Sequence, residues 1–110
     1  MVSYDLTDID EVLKELKAGV LRLYGKRLKN LVLYGSWARN QANQNSDIDL
    51  AIVLEGNIVA GKEIDRLIDI ITDINLKYGV LLSVYPVSEQ NYNSLNSPLL
   101  LNIRKEGVTV

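Results

Sequence analysis

Residues 30–54 read NLVLYGSWARNQANQNSDIDLAIVL: an apolar run that stops at Gly35-Ser36, a polar stretch, then Asp47-Ile48-Asp49 opening a second apolar run. Asn30 to Tyr34 has the length and apolar continuity of a strand buried on both faces, and Gly35 ends it. Trp37 to Ser46 is polar and has room for one or two helical turns and a loop. Asp47 to Leu54 reads as the next strand. Its side chains alternate, so Asp47, Asp49, Ala51 and Val53 share one face and Ile48, Leu50, Ile52 and Leu54 the other. Only Gly35 to Ser46 joins the two strands, which is at the lower limit for a parallel crossover. An antiparallel pair is expected, with Gly35-Ser36 at the end of one strand beside Asp47 at the start of the next.

Working outward, Thr7 to Tyr24 carries Ile9, Val12, Leu13, Leu16, Val20 and Leu23 at helical spacing. Thr7 with Asp10 reads as a capping box and Gly25 as a stop. Asp8, Lys14, Glu15 and Lys17 fall mostly on the solvated side. Lys62 to Tyr78 is the clearest helix, with Ile64, Leu67, Ile68, Ile71 and Ile74 as its apolar stripe. Asp65, Asp69 and Asp73 lie on an exposed face, and Gly79 ends the helix. Val80 to Tyr85 reads as a third strand stopped by Pro86. Ser88 to about Leu95 and the segment from Pro98 through Ile103 read as short helices. Gly107 then precedes an extended tail, Val108 to Val110. Strands alternate with helices, so the fold class is α/β of the α+β type. A small mixed sheet, three-stranded or slightly larger, is covered by helices. Residues 1–110 read as one domain.

Composition closes off several chemistries. The 110 residues include no cysteine and no histidine. That excludes disulfides, thiolate nucleophiles, a Ser-His-Asp triad and the usual zinc sites. A catalytic metal must be held by oxygen, which points to Mg²⁺ or Mn²⁺. Twelve basic and fourteen acidic side chains leave a charge of −2, so no basic field argues for tight nucleic-acid binding. The acidic start MVSYDLTDIDEV is not a signal peptide, and no apolar run approaches a membrane span. The expected compartment is the cytoplasm.

The chemistry resides in Gly35-Ser36 and Asp47-Ile48-Asp49. Glycine at a strand end lets a ligand approach the backbone closely. Ser36 adds a hydroxyl and an N–H suited to phosphate oxygens. Asp47 and Asp49 would have Cα atoms about 6.5–7 Å apart on one strand face. They can converge on one cation, or on two metals about 3.5–4 Å apart. Gly-Ser alone is a common turn and Asp-x-Asp a common strand edge. Their combination places two acids at the boundary of a core, where uncompensated carboxylates repel each other.

Gly35-Ser36-Trp37-Ala38-Arg39, followed by Ser46-Asp47-Ile48-Asp49-Leu50, resembles the signature of the DNA polymerase β-like nucleotidyltransferase superfamily. The spacing and small size resemble its minimal nucleotidyltransferases, which include antitoxin partners of HEPN-domain toxins. The resemblance implies transfer of a nucleoside monophosphate from a nucleoside triphosphate to a hydroxyl, AMP from ATP being the expected case. It assigns Gly35 and Ser36 to the β and γ phosphates, Arg39 to a phosphate contact, and Asp47 and Asp49 to Mg²⁺. An ion pair is an equally good reading of Arg39. Two departures stand out. Asn40 replaces the glycine that often follows the arginine, though asparagine tolerates positive φ. On the third strand, where active relatives carry another acid, the small polar residue is Ser83, and Glu89 lies beyond Pro86.

Three functions compete. The first is an adenylyl-transferring enzyme acting on a protein or small molecule, working with a HEPN-type helical partner or as a homodimer. The second is a weakly active or inactive binding module that neutralises such a partner by occlusion. The third, a small-molecule modifier related to the aminoglycoside nucleotidyltransferases, lacks an acceptor domain here. Trp37 beside the phosphate site can stack on a base or serve the core. Tyr34 and Tyr85 read as packing residues. Leu95, Leu99, Leu100 and Leu101 exceed the needs of a small core and suggest an interface.

Overall fold

The structure, a computed structural model, describes residues 6–43 and 45–110, with side chains described from Ile9 onward. Helix α1, Leu6–Tyr24, leads through a short 3-10 turn, Gly25–Arg27, into strand β1, Leu28–Tyr34. Strand β2, Ile48–Leu54, helix α2, Ala60–Tyr78, and strand β3, Leu82–Ser88, follow. The chain ends with α3, Glu89–Ser94, α4, Pro98–Glu106, and β4, Val108–Thr109. The expected Thr7–Asp10 cap lies outside the described side chains.

The sheet has four strands in the order β3-β2-β1-β4. β1 and β2 are antiparallel, as their short connection requires, and β2 and β3 are parallel with α2 as the crossover. The extended tail is the fourth strand: Val32 pairs with Thr109 and Leu33 with Val108. Gly107 permits this approach, because a Cβ there would overlap Ile103 O and Val32 Cγ1.

One face of the sheet presents Leu31, Leu33, Ile48, Leu50, Ile52 and Leu54 to α1 and α2. Burial of these branched side chains contributes the main stabilisation, about 1.5–3 kcal/mol each before entropy. On the other face, Val32, Ala51, Val53 and Val87 pack with Leu100 and Ile103 of α4. The oxygens of Ser88 and Ser97 cap α3 and α4, accepting from Asn91 N at 3.1 Å and Leu100 N at 3.2 Å.

Several details correct the sequence reading. In α1 the buried line turns from Val20 to Tyr24, and Leu23 is 40% exposed. Tyr24 takes the inner place because its hydroxyl donates to Glu63 Oε1 at 2.8 Å. In α2 the buried line runs through Glu63, Leu67, Ile71 and Ile74, so Ile68, one residue off that row, is 49% exposed. Asp65, Asp69 and Asp73 are exposed, as their spacing predicts. Pro86 does not stop β3, which runs two residues beyond it and pairs Pro86 with Ile52. β3 is an edge strand, and an edge has one side where a missing N–H costs nothing. Leu100 is fully buried, while Leu95, Leu99 and Leu101 are exposed.

Candidate active site

The end of β1 and the starts of β2 and β3 meet at one edge of the sheet. Gly35 follows β1 with φ +76, and Tyr34 stands opposite Asp49 across the β1–β2 ladder. The backbone of Gly35 therefore rests on the Asp49 carboxylate. A Cβ at Gly35 would overlap Asp49 Oδ2 and lie 3.2 Å from Cγ. Glycine is required here twice, for its positive φ and for its missing side chain.

Residues 36–41 supply one of the one or two helical turns for which this stretch has room. They make a single turn closed like a helix C-terminus. Gln41 N donates to Ser36 O at 2.9 Å, and Asn40 N to Trp37 O at 3.4 Å. Asn40 holds φ +56, the left-handed position this closure requires. Asparagine thus does the work usually given to glycine, as its tolerance of positive φ predicts.

Asp47 precedes β2 and is exposed, while Asp49 is partly buried within it. Burial first, and then the neighbouring Asp47 charge, push the Asp49 carboxyl above its ordinary range; Arg39 pulls it back. Burial, then Asp49 and Tyr85, raise the Tyr34 phenol. This pocket of the sheet thus resists further negative charge. Among the described residues, no group of three His, Cys, Asp or Glu could hold a metal. Two carboxylates without a third protein acid fit an open Mg²⁺ or Mn²⁺ site that draws its other ligands from phosphate and water. The strain between Asp47 and Asp49 is the kind a bound cation relieves.

Arg39 lies in the turn and not on a helix. Its Nη1 donates to Glu106 Oε1 at 2.9 Å, and its Nε to Gln41 Oε1 at 3.1 Å. Both sequence readings of Arg39 therefore stay in play: it is ion-paired, and it is close enough to act on Asp49. Ser83 faces Asp49 in the β2–β3 register and is exposed. The structure thus gathers Gly35, Ser36, Asp47, Asp49 and Arg39 at one end of the sheet, with Ser83 beside Asp49 in the β2–β3 register.

Two participants escaped the sequence. Tyr34 was legible in principle, because an antiparallel register anchored at Gly35 puts it opposite an acid. Glu106 was not, because nothing local links the end of α4 to a turn 67 residues earlier.

Comparison with known proteins shows the family and the fold. The family model described as Polymerase beta, Nucleotidyltransferase matches residues 8–110. MJ0604 of Methanocaldococcus jannaschii, named a candidate protein adenylyltransferase, is 33% identical over 99 residues, 89% of this chain and 93% of its own length. A solved structure described as a candidate minimal nucleotidyltransferase superposes with a TM-score of 0.65 at 20% identity, covering 97% of both chains. A chain from a toxin–antitoxin crystal structure with AMP-PNP gives 0.61 at 18% identity, covering 87% of this chain and 70% of that one. These two structures share the fold. With the family match running from Asp8 to the last residue, the chain belongs to the polymerase β nucleotidyltransferase family and is a nucleotidyltransferase.

Proposed function

We propose that the protein transfers AMP from ATP to a hydroxyl of a protein, as the antitoxin partner of a helical HEPN-type toxin. The observation that carries the reading is the seating of Gly35 against Asp49, which sets a phosphate-accepting turn beside an acid pair. The name of MJ0604 supports adenylyl transfer to protein, and the toxin–antitoxin structure with AMP-PNP supports an ATP-like substrate and a protein partner. The exposed Leu95, Leu99 and Leu101 supply apolar surface for such a partner.

In this reading the backbone N–H groups and the hydroxyl at Gly35-Ser36 hold the β and γ phosphates, as N–H groups at the start of a turn suit phosphate oxygens. Asp47 and Asp49 would hold Mg²⁺, which when bound neutralises phosphate charge and polarises the phosphoryl oxygens. Arg39 adds a cation beside the same oxygens when it exchanges Glu106 for phosphate. The acceptor oxygen attacks the α-phosphorus, the bond to the bridging oxygen breaks, and pyrophosphate leaves. Ser83 cannot take the acceptor's proton efficiently, so the proton passes to water.

That last feature favours a second reading, a slow or inactive module that acts by occlusion. Labelled ATP incubated with the protein and a co-expressed helical partner separates the two. Label on the partner, lost in Asp47→Asn/Asp49→Asn, supports transfer. A stable unlabelled complex that still silences the partner supports occlusion.

A further inference from the structure

Beside Asp47, on the opposite side from the β4 strand, a recess of about 270 Å³ is lined by Trp37, Asn45, Ser46, Asp47, Val80 and Leu81, with Ile48 and Gly79. Its apolar walls are anchored: Trp37 and Val80 pack on the α1–α2 core, and Leu81 is 56% exposed. Its polar rim is also fixed. Ile48 N donates to Leu81 O at 2.9 Å, and Asn43 N to Ser46 Oγ at 3.0 Å. Trp37 Nε1 points to Ser46 O at 3.5 Å, a long contact that leaves the indole positioned more by packing than by this bond.

Three observations say what the recess can take. First, its described lining contains no lysine or arginine, and its one charge is the Asp47 carboxylate. An anionic group is therefore disfavoured there. Second, the cation of this edge, Arg39, faces the other way, toward Glu106 of α4. Third, the volume falls just below the ~300 Å³ at which ligand pockets usually begin, room for one ring system but not for a whole nucleotide. A flat, uncharged ring with polar edges fits an indole, two aliphatic side chains and an amide. Trp37 also follows Ser36 directly, and the turn bond from Asn40 N to Trp37 O ties its position to that of the phosphate-binding backbone.

We propose that this recess seats the nucleobase of the triphosphate, stacked on Trp37 and bounded by Val80 and Leu81. The proposal rests on the nucleotide reading above. It divides the ligand between two neighbourhoods of one turn: phosphates at Gly35-Ser36 and Arg39, base at Trp37. It also makes Leu81 a residue that tunes base affinity.

Trp37 is the chain's one tryptophan, so its fluorescence reports on the recess alone. The natural protein is titrated with ATP and with inorganic tripolyphosphate, each with Mg²⁺, while calorimetry measures binding. ATP is expected to quench Trp37 with the midpoint seen by calorimetry, and tripolyphosphate to bind more weakly and leave the emission unchanged. Base stacking on an aromatic ring is strong enough that Trp37→Leu should weaken ATP at least about fivefold without affecting tripolyphosphate. Leu81→Ala, an exposed change that spares the fold, should weaken ATP in the same selective way. Equal affinity and equal quenching by the two ligands overturn the base seat while the phosphate site stands. Binding of neither overturns both.

Discussion

Gly35 and Asp49 are fitted to each other: the carboxylate of Asp49 fills the space that any side chain at Gly35 would need. The consequence is testable. Gly35→Ala must adopt positive φ, worth about 1–2 kcal/mol against it, and must also displace Asp49. The variant should be destabilised by more than the conformational cost alone. Its Mg-triphosphate binding should fall further than its stability does. Denaturant unfolding paired with calorimetric titration checks both. A variant that is less stable but binds normally would place Asp49 outside the ligand site.

The pH dependence of Asp49 has a definite sign. Its carboxyl is held above the ordinary value of 3.8 by burial and by Asp47. The folded state therefore keeps a proton that the unfolded chain has released. Stability from this group is present below about pH 4 and is lost as pH rises through the raised value. Asp49→Asn should flatten that decline and melt at an equal or higher temperature near neutral pH, while losing Mg-triphosphate binding. Melting curves across the acid range test the first claim. An unaltered pH slope in the variant would remove Asp49 as its source.

How far the fold could be read follows from where each signal lay. The β1–β2 hairpin was legible because a twelve-residue link, Gly35 to Ser46, could hardly cross over, and because Ile48 to Leu54 alternate between two buried faces. β3 was misplaced by Pro86: a proline forbids the interior of a sheet but not its edge, and sequence does not reveal which strand is the edge. β4 is a two-residue strand, too short for any period, and is fixed by Gly107 and Val32 at long range. Of the candidate site, the acids and the glycine turn carried local patterns. Their partners Tyr34 and Glu106 come from pairing register and from α4 docking, which are tertiary facts.

Arg39 offers a way to separate binding from stability. Its pair with Glu106 is partly exposed, with side-chain accessibilities of 43% and 27%, and solvent-screened pairs of this kind contribute about 0–1 kcal/mol. Arg39→Ala should therefore cost less than about 1 kcal/mol in unfolding, yet weaken triphosphate binding severalfold. Glu106→Gln frees the guanidinium and should strengthen binding. Salt should diminish both differences. Two variants with triphosphate affinities equal to the natural protein would confine Arg39 to a surface ion pair.

Tyr24 and Glu63 form a buried hydrogen bond between α1 and α2, with Arg66 Nη1 3.8 Å from the same carboxylate oxygen. Burial first, and the Glu63 hydrogen bond second, drive the Tyr24 phenol well above its ordinary value of 10.0. The group's contribution is complete below about pH 10 and disappears as pH climbs beyond it, because the unfolded chain ionises first. Tyr24→Phe should cost about 1–3 kcal/mol by leaving Glu63 without its donor. It should also lack the alkaline loss. Unfolding at pH 7 and at about pH 11 checks both parts.

Ser83 stands in the register position opposite Asp49, exposed, at the end of the sheet where Asp47 also lies. A carboxylate there would join the acid pair and stand ready to accept the proton of an attacking hydroxyl, a service worth about 10²–10⁴-fold in rate. Serine can bond a bound water but cannot supply charge or take that proton near neutral pH. The natural protein should accordingly bind Mg-triphosphate and transfer slowly. Ser83→Asp should raise single-turnover transfer at least about tenfold at saturating Mg²⁺, with little change in triphosphate affinity. Exposure leaves room for the larger side chain, so the fold should survive. Without metal, a third carboxylate beside Asp49, whose charged form is already disfavoured, should lower the melting temperature at neutral pH, and added Mg²⁺ should restore it. Faster transfer together with a metal-dependent recovery of stability identifies the vacancy. If the natural protein is already fast and Ser83→Asp slows it, the proton leaves by another route and this strand supplies no base.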